Sequence, residues 1–163
     1  MEVPIVISGG GIIGNYISLR LEKNNIKTVI VEKASSFSAL DKGIRTVTLN
    51  EHSMQMLKDI CICPSIAQIN SIDVLDGEGT GQIQFLSKEV GIENLSYVTY
   101  FNELQKLISD PCKERTFFNN EIASIQNLNK ESDPEVMLKD GMTIKTNLIA
   151  GCDGRNSNIA KIA

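Results

Sequence analysis

Gly9, Gly11 and Gly14 fit the spacing G-x-G-x-x-G, and the acid Glu32 follows where the fingerprint of a dinucleotide site expects one. Glycines at that spacing permit a tight turn, let a pyrophosphate approach bare backbone, and allow a helix to pack closely on a strand. The chemistry is binding rather than bond breaking. Unpaired N–H groups and the partial positive charge of a helix N-terminus hold a diphosphate without a nearby lysine. A carboxylate at Glu32 can accept hydrogen bonds from the hydroxyls of an adenosine ribose. Glutamate rather than arginine there disfavours a 2′-phosphate, so the implied ligand carries an unphosphorylated adenosine ribose, as FAD and NAD do.

Such a site works only between a strand and a helix, and the surrounding sequence supplies both. Val3 to Ile7 is a short, β-branched apolar run that stops at Ser8-Gly9-Gly10-Gly11. From Ile12 to Lys23, Ile13, Tyr16, Ile17 and Leu21 recur at helical spacing and predict an apolar helix face. After Asn24-Asn25 a second apolar run, Lys27 to Val31, ends in Glu32. Lys33 to Gly43 is a polar loop, longer than typical, and loops of that kind often carry function. Arg45 then precedes the β-branched run Thr46 to Leu49, and Asn50 is a good N-cap for a helix with Met54, Leu57 and Ile60 on one face. An arginine at the mouth of that element either reaches a diphosphate or is a solvated surface residue; its position alone leaves both readings open.

The remainder reads as short strands. Ile69, Ile72 and Val74, then Ile83 and Phe85, alternate about the glycine-rich turn Asp76 to Gly81 and predict a hairpin. Leu95 to Phe101 is β-like, Asn102 can cap a helix Glu103 to Ser109, and Pro111 prevents that helix from continuing. Thr116 to Phe118, Ile122 to Leu128 and Val136 to Leu138 predict strands, with a turn at Asp140-Gly141 leading into Met142 to Thr146. Leu148-Ile149-Ala150 then runs into Gly151-Cys152-Asp153-Gly154, a second place where a strand meets glycines and an acid. The expected fold is α/β: a Rossmann-type βαβ frame with a parallel sheet plus an inserted small antiparallel β-sheet. The expected divisions are 1–68 for the nucleotide-binding βαβ and following helix, 69–146 for the inserted sheet with one helix, and 147–163 for the return to the frame.

Composition removes other classes. A chain 42% hydrophobic and 22% charged supports one sizeable core, and a net charge of −4 without a Lys/Arg-rich run excludes nucleic acid as the expected partner. No stretch approaches the roughly 18 apolar residues of a membrane span, and no leader precedes the first strand, which predicts a cytoplasmic protein. Cys61, Cys63, Cys112 and Cys152 lack paired metal spacing and read as small apolar fillers in a reducing compartment. His52 has no carboxylate or cysteine at ligand spacing and reads as a solvated helix residue. No metal site and no catalytic side-chain constellation is expected.

Taken together, GGGIIG with Glu32 at the start and GCDGRNS (Gly151 to Ser157) at the end resemble the FAD-dependent aromatic hydroxylases of the p-hydroxybenzoate hydroxylase fold. Arg45, Leu49, Ser53 and Leu57, followed by Ile72, Val74, Asp76 and Gly79, resemble the ubiquinone-biosynthesis branch of that family. The resemblance implies FAD as cofactor. Gly9, Gly11, Gly14, Glu32 and, beside them, Ile12, Ile13 and Lys33 would hold the ADP half. Arg45 would lie near the pyrophosphate, and Asp153 and Gly154 near the diphosphate-ribose region. It also implies NAD(P)H as reductant and an aromatic, ubiquinone-precursor-like small molecule as substrate, with O2 supplying the oxygen. The hard chemistry belongs to the cofactor, which is why no Ser/His/Asp or paired-carboxylate set is needed.

The chain departs from that pattern in length and in particular residues. Family members run to about twice this length, so the resemblance is to an N-terminal half and the expected fold is truncated. Ala160 stands where the family carries an arginine, and Tyr100-Phe101 stand where ubiquinone-type members carry a polar pair. A separately encoded C-terminal half or a hydroxylase complex is the expected partner, with a peripheral membrane location through a lipid-like substrate as a further expectation. Two other readings are a non-catalytic relic or nucleotide-binding module, and a small NAD-binding oxidoreductase.

Overall fold

The computed structural model describes residues 1–40, 44–127 and 133–162. Along the chain, β1 (Ile5–Ser8), α1 (Ile12–Glu22) and β2 (Thr28–Val31) form the opening unit, followed by β3 (Thr46–Leu49), α2 (Glu51–Asp59), β4 (Ala67–Ile69), β5 (Ser71–Leu75) and β6 (Gln82–Leu86). Then come β7 (Ser96–Tyr100), α3 (Phe101–Ser109), β8 (Thr116–Phe117), β9 (Ile122–Gln126), β10 (Glu135–Leu138), β11 (Thr143–Lys145), β12 (Leu148–Gly151) and α4 (Ile159–Ile162). The described chain forms two compact units, one from residues 1–43 and 105–163, the other from Ile44–Leu104.

In the first unit a parallel sheet runs in the order β12-β1-β2-β8. Ile7 lies between Ala150 of β12 and Ile30 of β2, so β1 is central. A central parallel strand is covered on both faces, which is why Val3 to Ile7 shows no polar alternation. Val6, Val29 and Val31 bury into one cluster with Ile122, Val136, Leu138 and Ile144 of the antiparallel sheet β11-β10-β9. Ile7 and Ile30 point the other way, onto Cys112 and the partly buried Ile17 and Leu19. The result is a layered unit: helix, parallel sheet, antiparallel sheet. Each fully buried valine or isoleucine in it contributes about 1.5–3 kcal/mol.

The helix α1 packs differently from its predicted apolar face. Its buried residues are Gly14, Asn15 and Ser18, while Ile13 is 63% exposed. The Ser18 and Thr28 hydroxyls share a hydrogen bond of 2.7 Å across the helix–strand contact. Small side chains let the helix approach β2 so closely that the longer isoleucine stripe is displaced to the flank and the surface.

The second unit holds an antiparallel sheet in the order β3-β7-β4 and a separate hairpin β5-β6. Asn50 caps α2 as expected, its Oδ1 accepting from the Ser53 amide at 2.8 Å, and Met54 and Leu57 are buried. The hairpin closes about Asp76 to Gly81 through the Asp76 amide and the Gly81 carbonyl at 2.8 Å.

Several expectations change in detail. The antiparallel strands form three separate sheets instead of one inserted sheet, and Thr116–Phe117 joins the parallel sheet beside β2. Alternation marks a run as a strand but does not say which neighbour it pairs with, so strands of two to five residues leave the partner undetermined. Helix α3 starts at Phe101, with Asn102 already inside its first turn, and beyond Ser109 the chain continues as 3-10 helix through Arg115. Pro111 is compatible with that tighter start, where its missing N–H is not needed. The strand from Ile122 ends at Gln126, and Leu128 and the 41–43 end of the long loop lie outside the described residues.

Candidate functional site

The β1–α1 turn gives each glycine a separate structural reason. Gly9 has φ of 103°, a conformation that disfavours any side chain, and an added Cβ would run into the backbone carbonyl of Cys152. At Gly14 an added Cβ would collide with the Gly9 carbonyl, so helix and strand touch backbone to backbone. Gly11 is the opposite case. It is the N-cap of α1 in an extended conformation, and nothing lies within 4 Å of where its Cβ would be. No side chain caps α1 and its first turn holds no acid, so no protein side chain satisfies its N-terminal amides or offsets its dipole there.

Glu32 lies at the end of β2, 5% exposed. Its Oε2 accepts from the Gly10 amide at 2.7 Å and its Oε1 from the Ala34 amide at 2.8 Å. Each carboxylate oxygen keeps a lone pair beyond those bonds. The Glu32 backbone is tied to the end of β8 and the turn after it, its N–H donating to the Phe117 carbonyl and its carbonyl accepting from the Asn120 amide.

Across the C-terminal ends of β1, β2 and β12 opens a shallow crevice of about 60 Å3, lined by Gly9, Glu32, Lys33, Asn120, Asp153 and Asn158 among others. This is where parallel α/β sheets bind their ligands. Asp153 Oδ2 accepts from the Asn158 and Ile159 amides at 2.6 and 3.2 Å, while its Oδ1 is buried and has no partner. Burial pushes the Asp153 carboxyl up, but the Ser157 side chain and the Ile159 and Asn158 amides outweigh it and hold the group below its ordinary value. An unpartnered buried acceptor at Asp153 and a vacant approach at Gly11 both fit a nucleotide carrying hydroxyls and a diphosphate. Next to Asp153, burial and the Asp153 charge push the Cys152 thiol up, which keeps it protonated.

The first unit therefore brings Gly9, Gly11, Gly14, Glu32, Lys33 and Asp153 to one turn and one crevice, with Ile12 and Ile13 in the first turn of α1 and Gly154 following at φ 83°. Arg45 belongs to the second unit, where its guanidinium stacks 3.6 Å from the Phe101 ring centroid and its carbonyl accepts from the Phe101 amide. His52 is exposed on α2. Cys61 and Cys63 are exposed, which corrects the reading of them as small apolar fillers, whereas Cys112 is buried as that reading requires. Ile62 between the two cysteines is the residue that is buried there.

Sequence reasoning missed Asn15, Gln105 and Asn120. Asn15 Nδ2 donates to the Gly10 and Gly11 carbonyls at 2.5 and 3.0 Å, and Gln105 Nε2 donates to the Gly10 carbonyl at 3.2 Å. Asn120 Oδ1 accepts from the Glu121 and Lys139 amides. A buried amide inside an otherwise apolar helical pattern, as at Asn15, was the available signal. Among the described residues, no group of three or more His, Cys, Asp or Glu is placed to hold a metal, and no helix is long and apolar enough to cross a membrane.

A sequence family described as "FAD binding domain" matches residues 2–163. Monooxygenase 1 of Arabidopsis thaliana is 29% identical over 98% of this chain and 40% of its own length. The ubiquinone biosynthesis monooxygenase COQ6 of Dictyostelium discoideum is 24% identical over 96% of this chain and 38% of its own. The crystal structure of PqsL from Pseudomonas aeruginosa, in complex with 2-aminobenzoylacetate, superposes with a TM-score of 0.83 at 16% identity, over 99% of this chain and 45% of that one. The chain thus spans about two-fifths of the length of the curated relatives it matches.

Proposed function

The chain belongs to the FAD-binding domain family, and from that membership we propose that it is the FAD-binding portion of a flavin-dependent monooxygenase that hydroxylates an aromatic ring, with NAD(P)H as reductant. The observation that carries the reading is the β1–α1 turn, in which an open Gly11 and a buried Glu32 share one corner of the sheet.

In this reading the ADP half of FAD lies across the C-terminal ends of β1, β2 and β12. The N-terminal amides of α1, from Gly11 through Ile13, take the diphosphate, and their dipole offsets its charge. Glu32 keeps an acceptor lone pair on each oxygen for the ribose hydroxyls, while its bonds to the Gly10 and Ala34 amides hold it still. Lys33 and Asp153 line the same crevice; Asp153 Oδ1 gains a partner when a hydroxyl donor arrives, and Gly154 leaves the approach clear. Arg45 keeps the pyrophosphate assignment that the family resemblance implies; its stacking on Phe101 lies within the second unit. When bound, FAD would supply the redox chemistry of an NAD(P)H- and O2-dependent hydroxylation. The protein's share is to bind, orient and exclude water. The ubiquinone-precursor class of substrate is favoured by the Arg45 to Leu57 pattern and by the Dictyostelium relative.

Titration with FAD, ADP and NAD, followed by flavin fluorescence and calorimetry, tests the reading. Saturable FAD binding with ADP as competitor is the expected result. Binding of NAD in preference to FAD overturns it. FAD binding without any aromatic-stimulated NAD(P)H oxidation, when a C-terminal half of the kind the relatives carry is supplied as well, leaves a nucleotide-binding module and removes the monooxygenase assignment for the chain.

A further inference from the structure

We propose that Asn15 and Gln105 are positioning residues that lock the peptide between Gly10 and Gly11 in the one orientation that can receive a diphosphate. The inference rests on the FAD-site reading above and deepens it. The Gly10 carbonyl accepts from two buried side-chain amides, Asn15 Nδ2 at 2.5 Å and Gln105 Nε2 at 3.2 Å. Asn15 is 0% and Gln105 5% exposed, and they come from different helices, α1 and α3. A trans peptide is planar, with its N–H pointing opposite to its C=O. Holding the Gly10 carbonyl against Asn15 and Gln105 therefore aims the Gly11 N–H away from those two side chains, and the position a Cβ would take on Gly11 is likewise clear of other atoms within 4 Å. The second bond from Asn15, to the Gly11 carbonyl at 3.0 Å, fixes the next peptide, whose N–H belongs to Ile12. On the N-terminal side, the Gly10 amide is held by Glu32.

Glycine makes this clamp necessary. Three glycines in sequence have little intrinsic preference between one peptide orientation and its flip, and a flipped Gly10–Gly11 peptide would present a carbonyl to the phosphate. Asn15 is also retained at a cost in stability. Its Oδ1 is buried without a hydrogen-bond partner, a penalty of the kind that an apolar residue of the same shape avoids. A side chain that weakens the core while bonding two successive loop carbonyls is explained by what those carbonyls must do.

The test is Asn15→Leu, which removes both donors and the orphaned acceptor at nearly constant shape, alongside Gln105→Leu. ADP and FAD affinities are measured by calorimetry, melting of the ligand-free protein by circular dichroism, and exchange of the Gly10 and Gly11 amides by NMR. The expected result for Asn15→Leu is ADP and FAD binding weakened together by about tenfold, with no fall in ligand-free Tm and faster exchange at Gly10. Gln105→Leu, which removes one donor, weakens both ligands by about threefold. Affinities within about twofold of wild type in both variants overturn the clamp, as does a loss that only parallels a lower Tm. Should Asn15→Leu not fold, Gln105→Leu decides alone by the same criteria. A wild-type protein that binds neither ADP nor FAD overturns the site reading itself, which separates that failure from failure of the clamp.

Discussion

The Glu32 carboxylate holds the Gly10 amide at 2.7 Å across 22 positions of sequence, so the acid at the end of β2 is also a structural member of the glycine turn. Replacing it with alanine strips acceptors from two amides, those of Gly10 and Ala34. The loss at the buried Gly10 amide costs about 1–3 kcal/mol and the loss at the half-buried Ala34 amide less, so Glu32→Ala is expected to lower ligand-free Tm as well as ADP affinity. Glu32→Gln retains one carbonyl acceptor and has the smaller effect on both. The negative charge also predicts ligand choice: a 2′-phosphorylated ADP should bind at least about tenfold more weakly than ADP. Equal affinity for the two, measured by calorimetry, removes Glu32 from the ribose.

Gly11 and Gly14 separate function from stability within one turn. Gly11→Ala places a methyl where no atom lies within 4 Å and at an ordinary φ of −70°, so the ligand-free protein should melt as wild type. The same methyl occupies the space a diphosphate needs, and FAD affinity should fall by about tenfold or more. Gly14→Ala instead forces a methyl into the Gly9 carbonyl, a backbone atom that cannot swing away. Overpacking of that kind costs about 1–3 kcal/mol, and Tm should drop by about 2–4 °C for each kcal/mol lost. Both variants losing the same fraction of affinity and of Tm would contradict this division.

What the sequence discloses here is whatever is local. The βαβ core from Val3 to Glu32 declares itself because its strand, turn and helix are contiguous and its glycines sit at fixed offsets. The same holds for Asn50, whose capping partner Ser53 is three residues away. Gln105 is the contrary case: it bonds Gly10 across 95 positions, and no pattern around Gln105 announces that distance. Thr116–Phe117 looked like any short strand, yet its partner is β2, set by where the 3-10 segment after α3 delivers it. The apolar stripe of α1 misled for a physical reason, since a helix that must touch the sheet through Gly14 and Ser18 cannot also bury Ile13.

The hairpin β5-β6 should be the least protected sheet of its unit. Ile72 pairs with Phe85 and Val74 with Ile83, so four apolar side chains share one face, yet they are 41%, 49%, 49% and 59% exposed for Ile72, Phe85, Val74 and Ile83. A two-stranded sheet without a covered face is marginal in water. Native-state hydrogen exchange is expected to show the β5 and β6 amides exchanging faster than those of β7, which is hydrogen-bonded on both edges. Protection of the hairpin equal to that of β7 would show that the exposed face is covered in solution.

Asp153 links the crevice to acid stability. Its folded carboxyl lies below the ordinary value of 3.8: burial raises it, but the Ser157 hydroxyl and the Ile159 and Asn158 amides bond the charged form and prevail. A group lowered on folding releases its proton more readily in the native state, so the folded protein is favoured wherever the carboxylate is ionised. That contribution is complete above about pH 3.8 and is lost as pH falls below it, through the lowered folded value. Asp153→Asn removes the ionisation while leaving the size of the side chain unchanged. Its unfolding free energy, followed by denaturant titration from pH 6 to pH 2.5, should therefore be lower than wild type at pH 6, and the gap should narrow as both proteins are taken below about pH 3.8. A gap that stays constant across that range would mean that the amide bonds to Asp153 do not favour its charged form. FAD bound in the crevice should make the same side chain a better acceptor still, since Oδ1 is the oxygen left unbonded. In wild type the acid limb then moves to lower pH on adding FAD, a shift that Asp153→Asn should not show.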